Sequence, residues 1–162
     1  VVHLILNLGC GDDTRGDVRI DRNPLRSGAN IIADIHHLPL RDKVVKASLG
    51  VSVFEHLTNP SRGLIETARV SREFIRLVIP NVYYFKRILR ALVNPGYKVK
   101  SGVLHLQAWD LLAFKRFVDQ VEAVEIVSVE WVDFVFKFYG ILIKWPSLFF
   151  GWNMRVTLEV TP

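Results

Sequence analysis

At 162 residues, half of them hydrophobic, the chain has the size of one domain spanning residues 1–162 and enough apolar material for a sizeable core. A single cysteine excludes an internal disulfide, and no Cys-x-x-Cys or histidine-rich cluster offers ligands, so no metal is expected and a reducing, cytoplasmic setting is the default. The formal net charge of +5 leans toward acidic partners, but Lys and Arg are scattered, so nucleic acid is allowed without being indicated.

Residues 3–8 form a near-continuous apolar run that suits a strand buried on both faces of a parallel sheet. His3 and Asn7 interrupt it, and it has neither a basic leader nor a small-residue cleavage site, so no signal peptide is expected. Gly9 and Gly11 straddle the small Cys10 where the chain must turn, and a missing Cβ lets a ligand approach the backbone. A second strand at residues 18–21 ends on Asp21, whose carboxylate could accept hydrogen bonds from two vicinal hydroxyls, as a ribose presents them. The acid follows Gly11 by about ten residues, half the spacing of a dinucleotide fingerprint. The acidic, helix-poor stretch 12–16 would also repel a pyrophosphate. A cationic nucleoside fits better.

Asn23-Pro24 and Ser27-Gly28 mark a turn region, and residues 30–34 read as a third short strand. A parallel crossover usually takes a dozen or more residues, so the first two helices are expected to be trimmed to turns or replaced by loops. Residues 44–53 are the fourth strand candidate, and Phe54-Glu55-His56-Leu57 its end loop. Asn59-Pro60 opens a helix with Leu64, Ile65 and Ala68 on one face. Ser71-Arg72-Glu73 reads as a turn before a fifth strand at 74–79. Asn81 can cap a helix carrying Phe85, Ile88, Leu89 and Leu92, stopped by Asn94-Pro95-Gly96, and residues 97–102 form a basic loop. A third helix at 109–120 places Leu111, Phe114, Val118 and Val121 on one stripe, as core packing. Residues 124–132 and 155–161 are the sixth and seventh strands. Between them 134–152 is aromatic and too irregular to assign. Lys137, Lys144 and Pro146 argue against a spanning helix there, and the segment is expected to be covered by the sheet, a second subunit, a lipid surface or a hydrophobic acceptor.

Leu-Asn-Leu-Gly-Cys-Gly at 6–11, the Ile20-Asp21 strand end, Ala33-Asp34-Ile35 followed by Leu38-Pro39-Leu40, Phe54-Glu55-His56-Leu57, and Ala68-Arg69-Val70 leading to Val78-Ile79-Pro80-Asn81 together resemble small S-adenosylmethionine-dependent methyltransferases of the Rossmann-like class. The resemblance implies an α/β three-layer sandwich on a mostly parallel seven-stranded sheet, order 3-2-1-4-5-7-6, with the last strand antiparallel. It implies S-adenosylmethionine as cofactor, with Gly9, Cys10 and Gly11 beneath the methionine part and Asp21 on the ribose. Asp34 would meet the adenine amino group and the Ile35 backbone the ring edge, with Arg22 and Val51 completing the cofactor set. Each position has a plainer alternative: a strand-end turn for the glycines, a cap for Asp21, and a cap for Asp34 before His36-His37. The chain departs from the pattern at Asn7, where relatives often have an acid, and at Ser71-Arg72-Glu73, where they usually carry Lys-Pro-Gly-Gly.

His56, just beyond the fourth strand, is a candidate general base, or it caps the next helix or bonds Glu55. His105, before the third helix, is a second candidate or an ordinary loop histidine. His36 and His37 lack partners at ligand spacing and read as surface or loop residues. Cys10 is chosen for size, because Asp12 and Asp13 provide the reverse of an activating setting. The leading expectation is methyl transfer to an unidentified acceptor, a small molecule being favoured. The alternative is a non-catalytic cofactor-binding or protein-interaction module, with homodimer or peripheral membrane contact through 134–152. A third reading is a nucleic-acid binder using Arg22, Arg26, Lys98 and Lys100.

Overall fold

The computed structural model describes residues 3–26, 28–80, 93, 106–107, 109–132, 134–138, 141–145 and 153–161. Its strands are β1 (Ile5–Leu8), β2 (Val18–Asp21), β3 (Ile31–Ile32), β4 (Val45–Val51), β5 (Ser71–Pro80), β6 (Val124–Val132), β7 (Phe134–Phe138), β8 (Ile141–Trp145) and β9 (Asn153–Val160). A 3₁₀ turn at Phe54–His56 and the helices α1 (Pro60–Val70) and α2 (Leu111–Val118) are interposed. Seven strands form one sheet in the order β3-β2-β1-β4-β5-β9-β6. The first five pair in parallel, and β9 runs antiparallel to both β5 and β6. With the β7-β8 hairpin set aside, this is the 3-2-1-4-5-7-6 order that the resemblance implies.

Alternation along the strands sorts the sheet into two unlike faces. On one, Leu6, Leu8, Ile20, Ile75, Leu77, Ile79, Met154, Val156 and Leu158 are buried in a single cluster. Leu64 and Ala68 of α1 and Phe114 and Val118 of α2 join the same cluster. Asn59 starts α1 by accepting the Arg62 N–H at 3.0 Å, with Pro60 in the first turn, as read from the sequence. Ile65 does not share the core face with Leu64 and Ala68, since it is 43% exposed. Asp110 caps α2 through the Ala113 N–H at 2.7 Å, so that helix is shorter than the predicted 109–120. Trp109 precedes the cap and packs edge-on against Phe114, with centroids 5.7 Å apart.

The other face carries Asn7 and Arg19, and here the chain crosses between parallel strands without helices. Residues 9–17 link β1 to β2, and residues 22–30 link β2 to β3. Nine residues reach roughly 30 Å when extended, ample to return along a strand of four residues. The first crossover is laced onto β1: Asp17 N–H donates to Ile5 O and Ile5 N–H to Asp17 Oδ2, each at 2.9 Å. Asn7, 1% exposed, donates through Nδ2 to Arg15 O at 3.1 Å. The second is closed by Asn30, which accepts the Arg19 N–H at 2.7 Å and donates to Asp17 O at 2.9 Å. Arg19 then joins the two crossovers, with Nε donating to Gly28 O at 2.6 Å and Nη1 to Gly16 O at 3.0 Å.

Two further expectations are corrected. Residues 71–73 are not a turn, because β5 begins at Ser71 directly after α1: the Ser71 hydroxyl bonds Thr67 O and Ser48 Oγ, each at 2.7 Å, which stitches the helix end to β4. The 134–152 segment is not irregular throughout, since β7 and β8 pair antiparallel from Phe134↔Trp145 to Phe138↔Ile141. The residue-for-residue mix of aromatic and branched side chains hides the alternation in the sequence. The helix expected from Asn81 and the loop at 97–102 lie outside the described residues, Val93 apart, which is helical.

Arg19→Met is expected to lower stability by about 2 kcal/mol, because two carbonyls lose a charged donor. Urea unfolding measures it, and an unchanged midpoint would mean that the crossovers hold without Arg19.

Candidate functional site

A cleft of about 480 Å³ opens at the carboxyl ends of β1 to β4. Gly9, Gly11, Asp21, Arg22, Asp34, Ile35 and His56 from the sequence reading all line it. Cys10 and Val51 do not. Cys10 is buried, and burial pushes its thiol pKa up, with the Asp21 charge adding to the effect, which disfavours the thiolate that a nucleophile needs. Val51 precedes the lining residues Ser52 and Val53. His105 lies outside the described residues, but the two that follow it do not: Leu106 and Gln107 donate to Glu55 O at 2.8 and 3.0 Å, fastening that stretch beside the site.

The glycine loop and the acid are one unit. Asp21 Oδ2 accepts the Gly11 N–H at 2.8 Å, and Oδ1 accepts the Asn23 N–H at the same distance. Cys10 N–H donates to Ile20 O at 3.1 Å, so the loop is bound to the end of β2 by backbone as well. Gly9 and Gly11 both take φ +56°, the left-handed region that glycine enters without penalty. At Gly9 a Cβ would sit 2.3 Å from Val53 Cγ2, whereas at Gly11 it would meet nothing within 4 Å. Gly9 is thus required for packing, and Gly11 leaves the floor of the cleft open. The acidic stretch is neutralised locally: Asp13 forms a bidentate pair with Arg15, and Asp12 pairs with Arg26 at 3.2 Å. Of the cations named for nucleic acid, Arg22 and Arg26 therefore face the cleft, and Lys98 and Lys100 lie outside the described residues.

On the far wall Asp34 Oδ1 accepts the His36 N–H at 2.9 Å and faces His36 Nδ1 at 2.5 Å. These bonds, the backbone one foremost, hold the Asp34 carboxyl below its ordinary pKa. His36 lies in a turn, as the surface-or-loop reading allowed, but it also lines the cleft, its side chain only 13% exposed. Its segment is clamped to α1. Arg69 donates to Glu66, to Asp42 and to the carbonyls of Leu38 and Leu40, and Glu66 accepts the Leu38 N–H at 3.1 Å. The Arg69 hydrogen bond holds the Glu66 carboxyl below its ordinary pKa.

His56 lies at the rim, 26% exposed, with Nε2 4.0 Å from Oε1 of the buried Glu55. Ser52 adopts φ +51°, unusual for a residue with a side chain, and its N–H bonds Val78 O at 2.9 Å. Sequence reasoning missed Asn23, Arg26, Ala33, His36, Ser52, Val53 and Leu57 as lining residues. Ala33, directly after β3, and Ser52 and Val53, directly after β4, could have been found from the rule that strand ends face ligands. Among the described residues no group of three metal-ligating side chains occurs, and no helix is long and apolar enough to cross a membrane.

No protein-family model matches the chain, and no curated protein matches it by sequence. Solved structures do. A SAM-dependent methyltransferase from Thermotoga maritima superimposes with a TM-score of 0.71 at 14% identity, covering 99% of this chain and 84% of that one. The chain has the fold of the S-adenosylmethionine-dependent methyltransferases. One from Methanosarcina mazei gives 0.64 at 13% identity over 98% of this chain and 92% of that one. Magnesium protoporphyrin IX methyltransferase from Synechocystis, which holds S-adenosylhomocysteine, gives 0.61 at 10% identity over 98% and 74%.

Gly9→Ala is expected to destabilise by about 2–4 kcal/mol, from left-handed strain and the collision with Val53, and Gly11→Ala by only about 1 kcal/mol. Equal losses in thermal unfolding would remove the packing role assigned to Gly9. A second expectation concerns acid. The Glu66 carboxyl is depressed in the folded chain, so its contribution is complete above its ordinary value near 4.5 and is lost as pH falls through the lowered folded value. Arg69→Met should flatten that acid-side decline in a pH series of melting temperatures; an unaltered slope would exclude the pair as its source.

Proposed function

We propose that the chain is an S-adenosylmethionine-dependent methyltransferase acting on a small-molecule acceptor. The observation that carries this reading is the convergence in one cleft of the Gly9–Gly11 floor, Asp21 and Asp34, on a fold shared with such enzymes. The residues fit the cofactor. Asp21, fixed at the end of β2 by two amides, keeps further lone pairs for vicinal hydroxyls, and Asp34 offers an acceptor beside apolar Ile35, Val53 and Leu57. The open space above Gly11 admits the amino-acid part without a helix amino terminus to receive its carboxylate. Two carboxylates suit a cation better than a pyrophosphate.

When bound, S-adenosylmethionine supplies a methyl group activated on a sulfonium. The chain contributes position: Gly9 and Gly11 set the depth of the floor, Asp21 and Asp34 fix both ends of the nucleoside, and the acceptor need only be brought into line. His56 at the rim could take the proton that a hydroxyl or ammonium acceptor must lose, with the Glu55 carboxylate 4.0 Å from its Nε2 favouring the cation that results. A second reading, binding without turnover, draws on Asn7, whose side chain is spent on the crossover and does not face the cleft.

Calorimetric titration of the full chain with S-adenosylmethionine and S-adenosylhomocysteine, with a nicotinamide dinucleotide as control, tests the proposal. Micromolar binding of the first two alone is expected, and no binding of either would overturn it. Asp21→Ala should weaken both by about 1.5–3 kcal/mol and also destabilise the empty protein, because the Gly11 and Asn23 amides lose their acceptor. His56→Ala should slow turnover on an acceptor panel at unchanged cofactor affinity. Full cofactor binding with no turnover by the unaltered chain would instead select the second reading.

A further inference from the structure

We propose that His36 is a positioning residue that makes Asp34 a selective reader of an exocyclic amino group, so that the cleft prefers a 6-aminopurine nucleoside to its 6-oxo counterpart. This rests on nucleoside binding by the cleft, as proposed above.

The ring of His36 is held at both nitrogens. Nδ1 faces Asp34 Oδ1 at 2.5 Å, and a nitrogen in that position must carry a proton to avoid lone-pair repulsion. Nε2 receives the Asn59 backbone N–H at 3.4 Å, so it must be the acceptor. The two contacts together specify the neutral Nδ1–H tautomer. Asn59 is itself fixed as the cap of α1, and Arg62 Nε donates to His36 O at 3.3 Å. A continuous line of hydrogen bonds thus runs from the start of α1 through His36 to Asp34.

Its effect falls on the carboxylate. Oδ1 is taken by two donors from His36, which stops the group from turning, and Oδ2 is left without a hydrogen bond among the described residues. The side chain is half exposed and lines the cleft next to Ile35 and Leu57, an apolar slot for a flat ring with one acceptor at its edge. An amino group on the ring satisfies that acceptor. A ring carbonyl at the same place opposes it lone pair to lone pair. The 6-oxo ring has a compensating N–H one atom away, which a freely rotating carboxylate could reach and one anchored by His36 cannot. The depressed carboxyl pKa supports this geometry, since Asp34 then remains an acceptor across the neutral range.

The test is calorimetric titration of the full chain and of its His36→Ala and His36→Asn variants with S-adenosylhomocysteine and S-inosylhomocysteine. The unaltered chain is expected to prefer the amino ligand by on the order of a hundredfold, the worth of a hydrogen bond to a charged group over an opposed pair. His36→Ala should cut that preference about tenfold, and His36→Asn should keep it within about threefold, because its amide N–H stands where Nδ1–H stood. Equal weakening of both ligands by His36→Ala would show a merely structural residue and overturn the inference, as would binding by the unaltered chain without preference. Failure of the unaltered chain to bind either ligand would overturn the methyltransferase reading and this inference with it. Nitrogen-15 correlation of the His36 ring in the unaltered chain needs no variant: the Nδ1–H neutral form is expected, and an Nε2–H form would overturn the assignment.

Discussion

Returning a parallel strand to its starting edge without a helix forces the chain to lie flat against the sheet, where its backbone groups need partners that a helix would have supplied internally. Arg19 answers that need. One guanidinium binds a carbonyl from each crossover, while Asn7, Asp17 and Asn30 close the remaining positions at the base of β1 and β2. The polar residues that look out of place in apolar strands are therefore the lacing of this edge. Because the crossovers are held down, the glycine loop leaves β1 in a defined direction, and Gly11 meets Asp21.

The opposite wall of the cleft is built by different means. There the segment from Asp34 to Asp42 has few apolar anchors, Ile35 and Leu38 being its buried ones, and α1 holds it with charged groups. Arg69 binds two backbone carbonyls and two carboxylates, and Glu66 returns a bond to the Leu38 amide. The partly buried setting strengthens these bonds relative to open water. One wall is thus organised from a strand and the other from a helix, and Val53, after β4, leaves no room for a side chain on Gly9 in the floor between them.

Much of this was legible in the chain, for identifiable reasons. Strand order followed from the family resemblance, and the absence of helices from the spacing between Gly11, Asp21 and Asp34 alone. The start of α1 was written in Asn59-Pro60, whose chemistry is local. His36 was read as a surface or loop residue, and it does lie in a turn, but its place in the cleft was not legible because Asn59 and Arg62, which hold it there, are more than twenty residues away. Ser71 was misread for the opposite reason: it resembles turn chemistry, but its hydroxyl is spent inside the fold on Thr67 and Ser48. The hairpin of β7 and β8 escaped because both alternating sets of side chains are largely apolar, which erases the period of two.

The short crossovers also bear on how the sheet can assemble. Closing a loop of nine residues costs about 1 kcal/mol less chain entropy than closing a strand-helix-strand unit of about thirty. Parallel pairing, ordinarily the step that must order the longest stretch of chain before any contact rewards it, is here among the most local events in the molecule. The edge that carries Asp21 is thus the part of the sheet whose parallel pairing asks least of the unfolded chain.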